Sequence, residues 1–219
     1  MPAPRRSLAQ TREALVDAAI RVIAARGLAA ASTRVITAEA GVPLSAFHYA
    51  FDSTDHLLDR VIERVLDGER AVGVSALESE GDEPAGLGAM VRHGFEQYLD
   101  LLIARPEHEQ AMLELTAHML RTPGREHVAR EQYLAYYAAA EVALEHAATR
   151  AKTDWMVPVG EVARLTVLLM DGLTMTWLAD RDTEGARAAV TFAAASIAGL
   201  ARSSGEDTAR NDAVVSGRA

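Results

Sequence analysis

Apolar residues recur along most of the chain at steps of three and four, the spacing of one face of an α-helix. In the first such segment, Leu15, Val22 and Ile23 fall on a single stripe. Few stretches alternate apolar and polar residues with period two, so strands are not expected. Between the breaks in the pattern the chain is rich in Ala, Leu, Glu and Arg, which are good helix formers. The pattern therefore predicts an all-α protein with about nine helices.

Glycine, proline and short polar clusters set the expected helix boundaries. Gly27 stands where a left-handed C-cap is wanted, and Ser53 is suited to be an N-cap. The helices are expected at about 8–26, 33–40, 44–50, 54–77, 85–104, 107–121, 125–153, 160–180 and 184–202. This pattern predicts a small first domain over 1–52 with a flexible basic arm at 1–7, a helical body over 53–202, and a disordered tail over 203–219.

Two short helices flanking a three-residue bend form the most informative part of the chain. The bend is Gly41-Val42-Pro43, and it separates the second and third expected helices. A helix-turn-helix needs this arrangement, because a small residue permits the tight bend and the second helix then projects outward. The inward-facing positions are expected to be Val35, Ile36, Ala40, Val42, Phe47 and Phe51. Leu44, Ser45, Ala46, His48 and Tyr49 are left exposed on the third helix.

Charge is distributed unevenly in a way that suits a nucleic-acid partner. The chain has a net charge of −9, but residues 1–51 contain six arginines and three acidic residues, a net charge of +3. A basic N-terminal region on an otherwise acidic protein can bind DNA locally. Uneven surface charge is common, however, and by itself it is weak support for DNA binding. There is no cysteine, which excludes disulfides and thiolate sites and fits a cytoplasmic protein. No apolar run follows the N-terminal charges, so no signal peptide is expected.

The order and spacing of residues 12–58 resemble the DNA-binding domain of the TetR family of regulators. That family has an Ala-rich first helix ending in Gly, an Ala-Gly-Val turn, and a short helix ending in Tyr-x-x-Phe before helix four. The matching residues are Ala18-Ala19, Gly27, Ser32-Thr33, Ile36, Ala40-Gly41-Val42, Phe47-His48-Tyr49-Ala50-Phe51 and Ser53-Thr54-Asp55-His56-Leu57. The chain departs from the pattern at His48, where the family has tyrosine, and at Thr54, where it has a phosphate-contacting lysine.

The resemblance implies a role for each exposed residue of the motif. Arg34 would read a guanine edge in the major groove, unless it only solvates a helix face. Leu44, Ser45, Ala46 and Tyr49 would lie against bases or sugars. Thr33, His48 and Thr54 would lie near phosphates, although His48 could instead be a partly buried ring on a helix edge. Arg5, Arg6 and Arg12 could add nonspecific attraction to DNA.

The two helices expected at 160–180 and 184–202 are unusually apolar. The first carries Leu168, Met175 and Trp177, but Arg164 and Asp171 interrupt it, so a membrane span is not expected. Small residues in the second permit close helix approach. Two such helices from each subunit would form a four-helix homodimer interface, as the resemblance also implies. Alternatively, both helices only complete the core of one subunit.

Candidate ligand-binding residues come from the helices of the body. Apolar walls with a few polar points are typical of a site for a small molecule, although aromatic and methionine residues at helical spacing also form plain core. The candidates are Met90, His93, Phe95, Tyr98, Met112, His118, Met119, Tyr133, Tyr136, Tyr137, Met170 and Trp177.

No sequence motif for catalysis or a cofactor is present. The chain lacks a phosphate-binding loop, His-Glu-x-x-His, Gly-x-Ser-x-Gly and Gly-x-Gly-x-x-Gly. Glu114 and His118 lie one turn apart, but a local polar pair explains them better than a metal site does. No catalytic residue, metal or cofactor is therefore expected. The sequence favours a dimeric, ligand-responsive repressor that binds a palindromic double-stranded operator, while an all-helical ligand-binding protein or enzyme without DNA binding stays open.

Overall fold

A computed structural model describes residues 6–78 and 86–204, with side-chain surroundings for 6–67 and 86–204. Within these ranges the chain is almost entirely helical, which confirms the predicted all-α class and the nine helices. A short 3₁₀ turn at Leu28–Ala30 follows the first helix. The α-helices are α1 Leu8–Arg26, α2 Thr33–Glu39, α3 Leu44–Ala50, α4 Thr54–Glu78, α5 Leu87–Ala104, α6 Pro106–Arg121, α7 Glu126–Ala151, α8 Val159–Asp180 and α9 Thr183–Ala198.

The chain divides into two compact units. The described residues of the first unit lie within 1–70 and 101–132, and those of the second within 71–100 and 133–219. The first unit thus contains α1, α2, α3 and α6, and the second contains α8 and α9. The predicted domain boundary at residue 52 stays a prediction.

The core of the first unit is built around α1. Leu15, Ile20 and Ile23 of α1 are almost completely buried. Their partners come from α2, α3 and α4, and also from α6, which lies far along the chain. The side chains that α6 contributes to this core are Ala111, Met112, Leu115 and Met119. The helix-turn-helix therefore shares one apolar core with a helix outside its own motif.

Local signals fix both ends of α1. The Ser7 side chain accepts a hydrogen bond from the backbone N–H of Gln10, and the Gln10 side chain accepts one from the Ser7 N–H, which completes a capping box. At the other end Gly27 has a φ of 76°, a value that glycine adopts without strain. The helix ends at Arg26 as predicted, but Gly27 has a ψ of 161°, so it does not adopt the left-handed conformation predicted for the C-cap.

The second unit contains a small antiparallel ribbon that the sequence did not predict. Its strands are β1, Thr153–Trp155, and β2, Ala201–Ser203, with Asp154 opposite Arg202. Helix α7 consequently ends at Ala151 rather than at 153, and α9 ends at Ala198 rather than near 202. Three-residue strands are too short to show period two, and Lys152 turns the chain with a φ of 53°. Residues 205–219 of the predicted tail and 1–5 of the predicted arm lie outside the described residues.

Helix α8 has the length and composition to cross a membrane, with a mean hydropathy of 1.3. A core helix of a soluble protein meets the same criterion. Here one face of α8 is buried within the second unit, through Val162, Val167, Leu173 and Trp177. Arg164 and Asp171 lie on the same helix, and their charges disfavour a lipid environment.

Candidate functional site

The helix-turn-helix rests on a buried apolar frame. Ile36 of α2, and Phe47 and Ala50 of α3, are at most 2% exposed, and Phe51 is buried directly after α3. The Phe47 and Phe51 ring centroids are 5.8 Å apart. Val35 and Val42 pack against the same core, and Ala40 is buried. The predicted inward face of the motif is therefore confirmed, and it fixes the direction in which the other side of α3 points.

Backbone hydrogen bonds define the bend between the two helices. Gly41 has a φ of 65°, and its N–H donates to the Ala38 carbonyl at 3.1 Å. The next amide, of Val42, donates to the Thr37 carbonyl at 3.0 Å. Thr37 is itself buried, and its hydroxyl donates to the Arg34 carbonyl, so it stabilises α2 from inside the unit. Sequence reasoning missed this residue, because threonine gives no clear signal of burial.

The outer side of α3 is open to solvent. Leu44, Ser45, His48 and Tyr49 are exposed, and Ala46 is half-buried. Tyr49 is 82% exposed, which is unusual for an aromatic side chain on a helix of a packed unit. These are the five positions expected to face outward. Their contact with DNA stays a prediction.

The expected DNA contacts of α2 lie at its first turn. Ser32 caps the helix, since its hydroxyl accepts a hydrogen bond from the Val35 N–H at 3.4 Å. Thr33 is half-buried and Arg34 is exposed. The Arg34 guanidinium has no hydrogen-bond or ion-pair partner among the described residues. It is thus available to an outside partner, as a base-reading arginine would be.

The start of α4 is ordered by contacts that the sequence only partly indicated. Ser53 accepts a hydrogen bond from the His56 N–H at 3.1 Å, so its predicted role as N-cap is confirmed. The His56 ring packs edge-on against Phe51, and its Nδ1 lies 3.3 Å from an Asp52 carboxylate oxygen. Thr54, the first residue of α4, is exposed. Whether it contacts a phosphate stays a prediction.

Two of the three arginines expected to attract DNA are engaged within the protein. Arg6 donates to the Ala40 carbonyl at 2.9 Å, and Arg12 donates to the Ala50 carbonyl at 3.0 Å. These carbonyls lie at the ends of α2 and α3. Arg5 lies outside the described residues.

The candidate ligand-binding residues are divided between the two units. Met112, His118 and Met119 belong to the first unit, where both methionines are part of the core under α1. His118 is paired locally with Thr122, at 3.4 Å between Nε2 and Oγ1. The remaining candidates belong to the second unit: Met90, His93, Phe95, Tyr98, Tyr133, Tyr136, Tyr137, Met170 and Trp177.

Tyrosines of α7 form a cluster against α8. The ring of Tyr133 packs at 5.7 Å from that of Tyr136 and at 6.1 Å from that of Tyr137. The Tyr133 hydroxyl donates to the Asp171 carboxylate at 3.0 Å, and the Arg164 guanidinium lies 4.4 Å from the centre of the Tyr137 ring. The sequence pattern indicates the tyrosines as candidates, but it shows Arg164 and Asp171 only as interruptions of an apolar helix.

Partial burial shifts the pKa of both members of the Tyr133–Asp171 pair. Desolvation, reinforced by the nearby Asp171 carboxylate, raises the pKa of Tyr133 to about 12. Desolvation also raises the pKa of Asp171, and the hydrogen bond from Tyr133 opposes that rise. The pair therefore offers a carboxylate and an aromatic wall at one place in the second unit.

Other polar candidates are satisfied within the second unit. Tyr98 on α5 shares a short hydrogen bond with the buried Thr174 of α8. His93 is hydrogen-bonded to Gln97 at 2.8 Å. Trp177 donates its indole N–H to Thr183 at 3.1 Å. These bonds join α5, α8 and α9, so the polar points of the predicted site also stabilise the unit.

Large apolar side chains of α8 and α9 are exposed, and we call them together the outer face. It consists of Leu165, Leu168 and Met175 on α8 and Phe192 on α9, which is 73% exposed. The opposite sides of both helices are buried. Each of the two helices therefore carries exposed apolar side chains as well as buried ones.

No group of three or more potential metal ligands was found among the described residues. Glu114 and His118 do not point to such a site. A Glu114 carboxylate oxygen lies 3.5 Å from the Leu28 N–H, and His118 pairs with Thr122.

Comparison with known proteins agrees with this architecture. The family model described as bacterial regulatory proteins, tetR family, matches residues 15–61. The nicotine-responsive transcriptional repressor HdnoR of Paenarthrobacter nicotinovorans is 29% identical over 191 residues, covering 80% of this chain and 88% of the relative. The transcriptional regulator BetI of Rhizobium meliloti is 34% identical over 84 residues, covering 38% of this chain and 41% of BetI.

A solved structure extends the likeness to the whole fold. A transcriptional regulator from Pseudomonas aeruginosa PAO1 superposes with a TM-score of 0.73 at 22% identity, covering 90% of this chain and 92% of that one. The family match begins within α1 and ends within α4, so it contains the complete helix-turn-helix and its buried frame. Residues 15–61, which contain the helix-turn-helix, are therefore similar to the tetR family of bacterial regulatory proteins.

Proposed function

We propose that this protein is a ligand-responsive transcriptional repressor that binds a palindromic operator as a homodimer in the cytoplasm. The observation that carries the proposal is the two-sided recognition helix α3. One side is locked into the core by Phe47 and Ala50, and the other presents Tyr49 and its neighbours to solvent. A DNA-reading helix needs a rigid seat and a free face.

The proposed DNA contacts follow from exposure. Arg34 supplies an arginine fork for a guanine edge, and Leu44, Ser45, Ala46 and Tyr49 lie against bases or sugars. Thr33, His48 and Thr54 supply phosphate contacts from the rim. A threonine at position 54 can donate a hydrogen bond to phosphate but contributes no charge, so this contact adds little to the salt dependence of binding.

A second copy of the chain is the proposed occupant of the outer face. One short recognition helix makes few base contacts, whereas two, about 34 Å apart, reach successive major grooves. Small exposed residues on α9, including Ala188 and Ala195, permit close approach of a partner helix. A four-helix interface of α8 and α9 with their copies would cover Leu168, Met175 and Phe192.

The proposed effector is a small, largely apolar molecule bound by the second unit. The HdnoR relative is nicotine-responsive by name, and the Tyr133–Tyr136–Tyr137 cluster with Asp171 offers apolar walls and a polar anchor. The effector lowers operator affinity only if it binds the DNA-free conformation more tightly than the DNA-bound one.

DNA binding is tested by selecting binders from random duplexes, then comparing Arg34→Ala with Arg26→Ala by gel shift. Both changes remove one exposed arginine, but Arg26 lies in the last turn of α1, outside the motif. We expect Arg34→Ala to lose about 1–3 kcal/mol of discrimination at one base pair, while Arg26→Ala retains the wild-type preference. Failure of the wild-type protein to enrich any sequence would refute the proposal.

Dimerisation is tested by light scattering after Phe192→Glu, with Leu120→Glu as the matched control. Both side chains are large, apolar and exposed, but Leu120, at 60% exposure, lies on α6 in the first unit. We expect Phe192→Glu to give the mass of one chain, 23.5 kDa, and to lose operator binding. Leu120→Glu should keep the mass of two chains. A wild-type protein with the mass of one chain would exclude the proposed dimer.

Effector binding can be followed by tryptophan fluorescence, because both tryptophans, Trp155 and Trp177, belong to the second unit. Nicotine is the first probe, given the HdnoR relative. We expect a saturable fluorescence change and release of the selected duplex, both weakened by Tyr133→Ala. A fluorescence change without release of DNA would argue against an effector role for that molecule.

A further inference from the structure

Two arginines near the start of the chain donate to the last carbonyls of the helix-turn-helix. The Arg12 Nε donates to the carbonyl of Ala50, the final residue of α3, at 3.0 Å. The Arg6 Nη1 donates to the carbonyl of Ala40, the C-cap of α2, at 2.9 Å. Each arginine thus serves one helix of the motif, and both bonds connect residues more than thirty positions apart.

The ends of these two helices need such donors. The last carbonyls of a helix have no partner within it and carry partial negative charge. Both α2 and α3 have only seven residues, too few to be stable alone. Helix α3 also has no side-chain cap at its start, where Pro43 occupies the N-cap. A guanidinium at the far end supplies both a hydrogen bond and the favourable charge.

The arginines are themselves held in place. The capping box of Ser7 and Gln10 fixes the backbone between them. The buried face of α1, which includes Leu15, Ala18 and Ala19, packs against the core that holds Phe47. A side chain projecting from this end of α1 therefore reaches the end of α3 from a rigid support.

We infer that Arg6 and Arg12 are positioning residues that orient α2 and α3, rather than phosphate contacts that attract DNA. Arg12 holds the end of the recognition helix against α1, and Arg6 holds the end of α2 at the bend. The part of this inference that concerns DNA affinity rests on the proposed function. The part that concerns helix order does not.

Hydrogen exchange on the full chain without DNA tests the positioning role directly. The variants are Arg12→Met and Arg6→Met, with Arg26→Met as the matched control at the other end of α1. We expect exchange at the α3 amides, up to Phe51, to rise about tenfold in Arg12→Met only. We expect a similar rise at the end of α2, including Ala40 and Val42, in Arg6→Met only. Amides of α6 should not change in any variant, which excludes general unfolding.

Salt dependence of binding to the selected duplex distinguishes positioning from phosphate contact. Two copies of Arg12 would act per dimer. If they oriented α3, Arg12→Met would weaken binding about tenfold and leave the slope of log affinity against log salt unchanged. If they bound phosphates, the slope would fall by about 2.

Two results would overturn the inference. The first is unchanged exchange across α3 in Arg12→Met, and the second is a salt slope reduced by about 2. If the wild-type protein bound no duplex at all, the proposed function would fail, but the exchange experiment would still decide whether the arginines order the two helices.

Discussion

Phe47 and Tyr49 lie two residues apart on α3 and should respond oppositely to truncation. Phe47 is 2% exposed and packs against Phe51, while Tyr49 is 82% exposed. Removing a buried phenylalanine ring costs about 3–5 kcal/mol, which combines lost transfer free energy with the cavity left behind. For a chain of this size each kcal/mol lowers Tm by about 2–4 °C. We therefore expect Phe47→Ala to lower Tm by about 10 °C.

Tyr49→Ala should leave Tm nearly unchanged, because surface substitutions stay within about 0.5 kcal/mol. Its effect should instead be on DNA, with weaker binding of the selected duplex by the fully folded protein. Calorimetry gives Tm for both variants, and gel shift at a temperature where both are folded gives affinity. An equal loss of Tm in the two variants would contradict the assignment of one buried and one solvent-facing side of α3.

Three further predictions follow from individual contacts. The Arg125 side chain is 19% exposed and bridges the Asp55 and Asp59 carboxylates of α4. Arg125→Ala should lower the free energy of unfolding by about 1 kcal/mol, and urea unfolding should show a smaller decrease at about 1 M salt. The Tyr133 pKa of about 12 exceeds its unfolded value of 10.0, so its contribution to stability is complete below pH 10 and is lost as pH rises toward 12. Between pH 10 and pH 12 the urea midpoint of Tyr133→Phe should therefore fall less than the urea midpoint of the wild-type protein. Gly41→Ala should destabilise by about 1 kcal/mol because its φ is 65°, whereas Gly94→Ala, within α5 and with open space around it, should stabilise by about 0.5–1 kcal/mol in the same thermal assay.

Sequence periodicity predicted the helices of the motif well because their signals are local. Gly27 and Gly41 mark real positive-φ turns, Ser53 is a real N-cap, and the buried set of Ile36, Phe47 and Phe51 follows from helical spacing. These features depend on neighbours within one or two turns, so reading the chain in short windows finds them.

Contacts between distant residues could not be predicted in the same way. Nothing local indicates that Arg12 donates to the carbonyl of Ala50, or that Tyr133 donates to Asp171. The β1–β2 ribbon is a further example, since its two strands are three residues each and are separated by α8 and α9. Each of these depends on which helices pack side by side, a property that a single sequence does not reveal.

Met112 is a residue whose role could not be predicted from the sequence. Its residue type and helical spacing suit both a ligand pocket and a plain core, and sequence alone could not separate them. In the structure it lies in the core of the first unit, at 3% exposure. The exposure of Leu44, Ser45, His48 and Tyr49 is easier to predict, because it follows directly from the face of α3 on which they lie.

The burial of one flank of α1 against α6 has a practical consequence for domain exchange. A chimaera cut after α3 or α4 would transfer the helix-turn-helix to another C-terminal domain, but it would lack Ala111, Leu115 and Met119, which cover α1. The chimaera would then expose the apolar side of α1 that α6 normally covers, and such a surface promotes aggregation. A transferable DNA-binding segment must therefore include residues 106–121, or the recipient protein must supply a helix whose apolar side chains cover the same side of α1.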